Sequence, residues 1–182
     1  MVSHPADYCP HCGGRLEATD VEGREHFFCG DCDRTVWHNP VPCANVAVVD
    51  DDAVLLVRRA AEPGTGDWTV PGGHLERDES PAEGAARELA EETGLSVDSA
   101  DLSLFDARSF DPHDGKHVVS IGFVVTAGRT TGTVEAGSDA ADARFWTPTA
   151  LDAEGEPFRE NHRERFESAP AVVQSHAPWR VQ

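Results

Sequence analysis

Two apolar runs, Ala44 to Val49 and Ala53 to Arg58, flank an aspartate-rich turn and predict a β-hairpin. Further on, Leu102 to Phe110 and His117 to Ala127 read as strands. The second contains VVSIGFVV, the pattern of a strand covered on both faces. A polar, turn-rich loop from Asp111 to Lys116 joins them. Arg144 to Thr147 is one more short strand. Between Ser80 and Gly94 the period becomes helical, with Ala82, Ala85, Ala86 and Leu89 recurring on one side. Ser80 as N-cap, Pro81 at the first position and Glu83 at N3 make a capping box, and Gly94 supplies a left-handed stop. Ala60 to Asp67, with Pro63, Gly64 and Gly66, is a loop, and Trp68-Thr-Val-Pro-Gly-Gly leads toward the helix. Ala150 to Leu151 and Glu160 to Phe166 read as helical, and the residues after Ser168 are ambiguous. This order of strands, helix, strands and terminal helix predicts an α/β fold, a mixed sheet with helices on both faces.

The polar side of the central helix changes the picture. Glu88 and Glu92 stand one turn apart, and Glu91 lies on the adjoining face. Like charges at this spacing oppose the helix by a few tenths of a kcal/mol, so the strip points to a bound cation. Oxygen-only ligands favour magnesium or manganese over zinc. The competing reading is a set of surface acids in an acidic chain.

The chain is strongly acidic. Its 33 acids against 15 basic residues give a net charge of −18, and Lys116 is the only lysine. Such a surface repels nucleic acid and anionic membranes, and it suits a salt-rich medium in which charge repulsion is screened. No apolar run reaches membrane-spanning length, and MVSHPADYCPHCGG lacks the basic-then-apolar shape of a signal peptide. The expectation is a cytoplasmic protein.

The first module has its own chemistry. Cys9-Pro-His-Cys12 and Cys29-Gly-Asp-Cys32 are two C-x2-C knuckles sixteen residues apart, the spacing of a four-cysteine zinc site. Arg15 to Thr19 and Glu25 to Phe28 are short strands around Gly23, which makes residues 1–38 a zinc ribbon that needs its metal to fold. A disulfide pair and an iron site are the alternatives. His11 is surplus to a complete tetrahedron, and Cys43 is read as a small buried residue. Residues 39–43, with Pro40 and Pro42, form a stiff linker to a main domain over 44–168, followed by a tail over 169–182.

From Gly73 to Leu95 the chain reads G-x5-E-x7-R-E-L-x-E-E-x-G-L, with Gly73, Glu79, Arg87, Glu88, Leu89, Glu91, Glu92, Gly94 and Leu95 in the specified places. This is the Nudix box. Residues 44 to about 168 resemble a Nudix hydrolase domain, and the ribbon resembles that of the zinc-ribbon Nudix proteins, among them NADH, ADP-ribose and FAD pyrophosphatases. The resemblance implies an α/β/α sandwich and metal-dependent hydrolysis of a nucleoside diphosphate linked to another moiety. It implies metal ligands at Glu88, Glu92 and in some members Glu91, with the Gly72 carbonyl a further ligand. Arg87 then holds Glu79 or Glu91. The base is one of the box glutamates or a loop acid, and among Glu135, Asp139 and Asp142 the place of Asp139 is nearest to the family's loop glutamate.

Arg58 and Arg59 are candidates for phosphate contact, and Trp68 and Phe110 for stacking on a base, although both aromatics also suit the core. The array that NADH pyrophosphatases share after the box is replaced here by Ala107-Arg-Ser-Phe-Asp-Pro112, and the single tyrosine, Tyr8, precedes the box. Pro112 lies near a proline typical of ADP-ribose pyrophosphatases. The resulting order is ADP-ribose, then FAD, then NADH. A reading of another class makes the ribbon an RNA- or protein-binding module on a Nudix scaffold, or a dimer contact. The acids interleaved with Arg15, Arg24 and Arg34 weigh against RNA.

Overall fold

The computed structural model describes residues 4–110, 116–137 and 140–175. They divide into two compact units. One comprises residues up to Val41 together with Ser109–Val119, the other Pro42–Arg108 together with residues from Ser120 on.

The first unit carries a three-stranded antiparallel sheet of β1 (Glu17–Val21), β2 (Arg24–Cys29) and β3 (Arg34–Val36), in that order. Its core is small. Cys9, Leu16, Cys29 and Val36 are buried, with Ala6, Phe27 and Cys32 packed against them.

The main sheet runs β12-β5-β4-β10-β9, where β4 is Val41–Asp50, β5 Ala53–Arg59, β9 Ser103–Phe110, β10 Val118–Thr126 and β12 Ala140–Trp146. β4 and β5 form the expected hairpin, closed at Val49↔Val54 and Asp50↔Ala53. Two short strands missing from the sequence reading join it, β6 (Trp68–Thr69) on β5 and β7 (Gly72–His74) on β4. A further pair, β8 (Leu95–Ser96) and β11 (Thr131–Gly132), lies beside the main helix.

The helices are α1 (Pro81–Thr93), α2 (Pro148–Glu154) and α3 (Arg163–Ser175). Alternation along β4 assigns them to faces. Val46 and Val48 pack with Ala85 and Leu89 of α1, whereas Ala47 and Val49 pack with Leu151 of α2 and Phe166 and Ala169 of α3. Helices therefore cover both faces. Two expectations change. β4 begins at Val41, so part of the expected linker is strand, with Val41 N–H donating to His117 O at 2.7 Å. α3 continues past Ser168 and contains Pro170, so the expected start of the tail falls inside a helix. No helix among the described residues is long and apolar enough to cross a membrane.

Candidate active site

Local signals build α1 as the sequence predicts. Ser80 Oγ accepts from Glu83 N–H, Glu83 returns the bond to Ser80 N–H at 2.7 Å, and Gly94 ends the helix at φ 72°. The helix is pinned against β7 by its carboxylates. Glu92, 5% exposed, accepts the Gly72 N–H at 2.9 Å. Glu88 lies across Gly73, where a Cβ would come within 2.5 Å of its Oε1. Gly72 is as constrained, with φ 147° and a backbone that presses on Ala44 O and Asn45 where any Cβ would stand. The Gly-Gly step is thus a strand edge that lets two carboxylates approach the main chain.

Arg87 organises the rest. Its Nε and Nη2 bind both oxygens of Glu79, at 3.0 and 2.8 Å. Nη1 reaches Glu88 Oε1 at 2.9 Å and Glu91 Oε2 at 3.2 Å, and Nη2 also donates to His74 O. The guanidinium, with the Glu76 N–H assisting, holds the Glu79 carboxyl below its ordinary pKa. Glu91 is the most open of the acids it touches, its side chain 49% exposed. The loop after β11 is tied to the end of α1 by Glu135 N–H to Thr93 O and Gly137 N–H to Glu92 O, at 2.9 and 3.1 Å. Asp139, the loop candidate, lies outside the described residues, as do Asp111 to Gly115.

The other expected substrate contacts separate. Trp68 is a correction. It is fully buried, with Nε1 on Glu156 at 3.0 Å, Trp146 edge-on at 5.5 Å and the Arg144 guanidinium at 5.3 Å, so it offers no face to a base. Phe110 is half-buried at the end of β9 and belongs to the first unit. Arg58 donates to Gly66 O at 3.1 Å and stands 3.9 Å from Glu156, while Arg59 donates to Pro63 O at 2.9 Å. Both grip the loop that follows β5.

A buried polar network escaped the sequence reading. Arg165, 1% exposed, donates to Asp106, to Asn45 Oδ1 at 3.1 Å and to Ser120 Oγ at 3.1 Å. Ser120 in turn donates to Asn45 at 2.7 Å, and Arg108 bridges Asp106 to Glu164. Gly122 leaves the room, since its Cβ would collide with Arg165 and Asp106. The network ties α3, β9 and β10 to Asn45, the register partner of Gly72. The one local hint is an aspartate and an asparagine at inward positions of apolar strands.

His162 is buried beside it, its Nδ1 2.8 Å from Thr69 Oγ1. Burial, reinforced by the charges of Arg165 and Arg159, holds its pKa down to about 3. As pH falls below the unfolded value of about 6.5, protons bind the unfolded chain first, so this part of the stability is lost on acidification. By pH 5 the loss attributable to His162 reaches about 2 kcal/mol. Urea midpoints at pH 7 and pH 5 are expected to converge in His162→Gln relative to the parent. An equal acid sensitivity in both chains counts against the assignment.

In the first unit the four cysteine sulfurs all lie within 4.8 Å of one another, Cys12 and Cys29 at 3.5 Å and Cys9 and Cys32 at 4.0 Å. Among the described residues this is the one group that brings three or more such ligand atoms together. The N–H groups of Cys12 and His11 hold Cys9 down to about 7, while the hydrogen bond to Cys12 and burial push Cys32 up to about 12. Four soft donors crowded in this way cannot all ionise without a cation, and the set suits zinc. Cys43, expected to be buried, is half-buried in β4.

A model of the NUDIX domain family matches residues 39–167. Over 90 residues the chain is 38% identical to the NAD-capped RNA hydrolase NudC of Vibrio atlanticus, a match to 50% of this chain and 32% of that protein. Over 113 residues it is 34% identical to the ADP-ribose pyrophosphatase of Methanocaldococcus jannaschii, 61% of this chain and 64% of that one. The chain thus spans less than two thirds of the length of either relative. The crystal structure of a NUDIX hydrolase from Nitrosomonas europaea shares the fold, with a TM-score of 0.79, 22% identity and 97% of each chain covered. With its box on α1, its mixed sheet covered by helices on both faces and a family match over more than half its length, this chain belongs to the NUDIX domain family.

Proposed function

We propose that this chain hydrolyses the pyrophosphate bond of a nucleoside diphosphate linked to another moiety, with ADP-ribose the preferred substrate. The observation that supports it most is the approach of the Glu88 and Glu92 carboxylates to the Gly72-Gly73 main chain. Two carboxylates beside a strand edge whose glycines admit them are a donor set that fits a hard divalent cation, magnesium or manganese. Glu88, Glu92, Glu91 and the Gly72 carbonyl would hold it. When bound, such a cation neutralises a diphosphate and lowers the pKa of water.

The chain's own residues supply order and a proton acceptor. Arg87, fixed by both oxygens of Glu79, holds Glu88 and Glu91 in one arrangement. The Gly72 N–H holds Glu92. Glu91, the more exposed carboxylate, is a candidate to accept the proton of the attacking water, and Asp139 is the alternative. The relative that acts on ADP-ribose supports the substrate order. A second reading, cleavage within an NAD-type end, draws on the NudC relative and keeps NADH, FAD and NAD-capped RNA in the comparison. The net charge of −18 opposes the RNA form of it.

Mass spectrometry of products after incubation with magnesium or manganese in high salt tests this. ADP-ribose, FAD, NADH and NAD-capped RNA are the substrates. AMP and ribose 5-phosphate from ADP-ribose, at the highest rate of the set, is the expected result. Folded, zinc-loaded protein that cleaves none of them overturns the reading.

A further inference from the structure

Along β4 the face toward α3 is apolar at Ala47 and Val49 and turns polar at Asn45, the position whose register partner is Gly72. The buried polar cluster gathers at that place. Arg165 Nε and Nη2 both donate to Asp106 Oδ1, the first at 3.0 Å, and Arg108 takes the other oxygen. Nη1 turns the other way, to Asn45 Oδ1 and Ser120 Oγ, each at 3.1 Å. One guanidinium thus reaches from β9 to β4 across β10. A buried ion pair rarely adds net stability over an apolar cluster of the same volume, and the rest of this face shows that apolar packing serves there. What the ionic cluster adds is direction.

Asn45 receives that direction. Its Oδ1 accepts from both Arg165 and Ser120, the latter at 2.7 Å, and two donors on one atom fix which way the amide is turned. Nδ2 is left against Gly72. A Cβ at Gly72 would come within 2.4 Å of that nitrogen, 2.6 Å of Asn45 Cα and 2.2 Å of Ala44 O, so the glycine lies directly on Asn45. The same glycine donates its N–H to Glu92 at 2.9 Å, and Pro71 O just before it accepts from Val46 N–H at 3.0 Å. Gly72 is therefore seated on Asn45 and bonded to Glu92.

We propose that Arg165 is a positioning residue for the divalent-cation site, fixing the seat of Gly72 through Asn45 and with it the Glu92 carboxylate. The inference rests on the reading that Glu88, Glu92 and Gly72 hold the cation, and it assigns the order of that site to a buried charge on α3. Partners that orient ligands in this way change metal affinity about 10–100-fold when removed.

The test is manganese binding by the full, zinc-loaded chain without nucleotide. EPR of the free ion follows it in about 1 M KCl, where charges beyond about 3 Å are screened and the surface acids compete little. Binding that Glu92→Gln abolishes belongs to the site. Its dissociation constant is expected to rise about tenfold or more in Asn45→Ala and in Arg165→Lys, which keeps a charge for Asp106 but not the fork that also reaches Asn45. Ser120→Ala removes a single donor to Asn45, so a rise of about threefold is expected, and it carries the test where either of the others does not fold. In the manganese-free chain the Gly72 amide resonance should shift and exchange faster in the same variants. Arg163→Gln is the control, an arginine of the same helix that pairs with Asp152 and stacks on Phe158. Any loss of melting temperature there is expected to leave manganese binding as in the parent. Glu92-dependent binding that is equal in the parent and in every folded variant of Asn45, Ser120 and Arg165 overturns this inference and leaves the cation reading intact. Absence of Glu92-dependent binding in the parent removes the cation reading, and this inference with it.

Discussion

Glu92→Gln is expected to lower kcat on ADP-ribose by about 10³-fold, roughly 4 kcal/mol of transition-state stabilisation, with the melting temperature little changed. The geometry explains why this residue is the informative one. Glu92 is nearly buried and accepts the Gly72 N–H, and glutamine keeps both the volume and an acceptor oxygen for that bond. What it removes is the negative charge at the strand edge. Glu83→Gln provides the contrast, because it neutralises a carboxylate on the same helix whose role is the capping box. Glutamine caps nearly as well, so activity there should stay within about twofold. If Glu92→Gln keeps activity within tenfold of the parent, the metal and proton roles lie elsewhere, and Asp139 becomes the first acid to replace. Steady-state kcat and KM with thermal melts of the three proteins decide it.

The site was legible in the sequence to the extent that its determinants are local. The capping box, the apolar stripe of α1 and the stop at Gly94 all lie within one short stretch, and each is found where the spacing puts it. The two knuckles are equally local, and the four sulfurs do meet. What the sequence hides is held by distant partners. β6 and β7 have two and three residues, too few for any periodicity, and exist because β5 and β4 offer them edges. β12 starts at Ala140 rather than at the expected Arg144, since Ala140 and Asp142 pair with Arg59 and Arg58 of β5. α3 passes through Pro170, a residue that ordinarily breaks a helix, while Phe166 and Ala169 are buried in the core. Trp68 stands open in the sequence between a stacking surface and the core because an aromatic before the box has no visible partner in one dimension. Its partners, Trp146 and Glu156, lie about eighty residues away. Arg165 and Asp106 are likewise ordinary charged residues until the fold buries them together.

Removing zinc is expected to unfold the ribbon while leaving the main sheet folded. The first unit has four buried apolar residues in its core, and two of them are the cysteines Cys9 and Cys29. Three short strands around so small a core cannot offset the chain entropy of about thirty ordered residues, at about 1–2 kcal/mol each. A structural zinc contributes on the order of 10–16 kcal/mol in comparable peptides, enough to reverse the balance. Chelation, or Cys29→Ser at the fully buried ligand, should therefore abolish amide protection across β1, β2 and β3. The α1 amides keep theirs, since Ala85 and Leu89 pack in a core cluster that contains no ribbon residue. Hydrogen exchange read by mass spectrometry, beside zinc content measured on the same sample, separates the two units. His11→Ala serves as the control. It lies inside the first knuckle but outside the four sulfurs, and it should retain about one zinc per chain because four thiolates already complete the tetrahedron. Ribbon amides that stay protected after zinc is gone would show that the strands and their small core suffice, and that the cysteines serve some purpose other than folding.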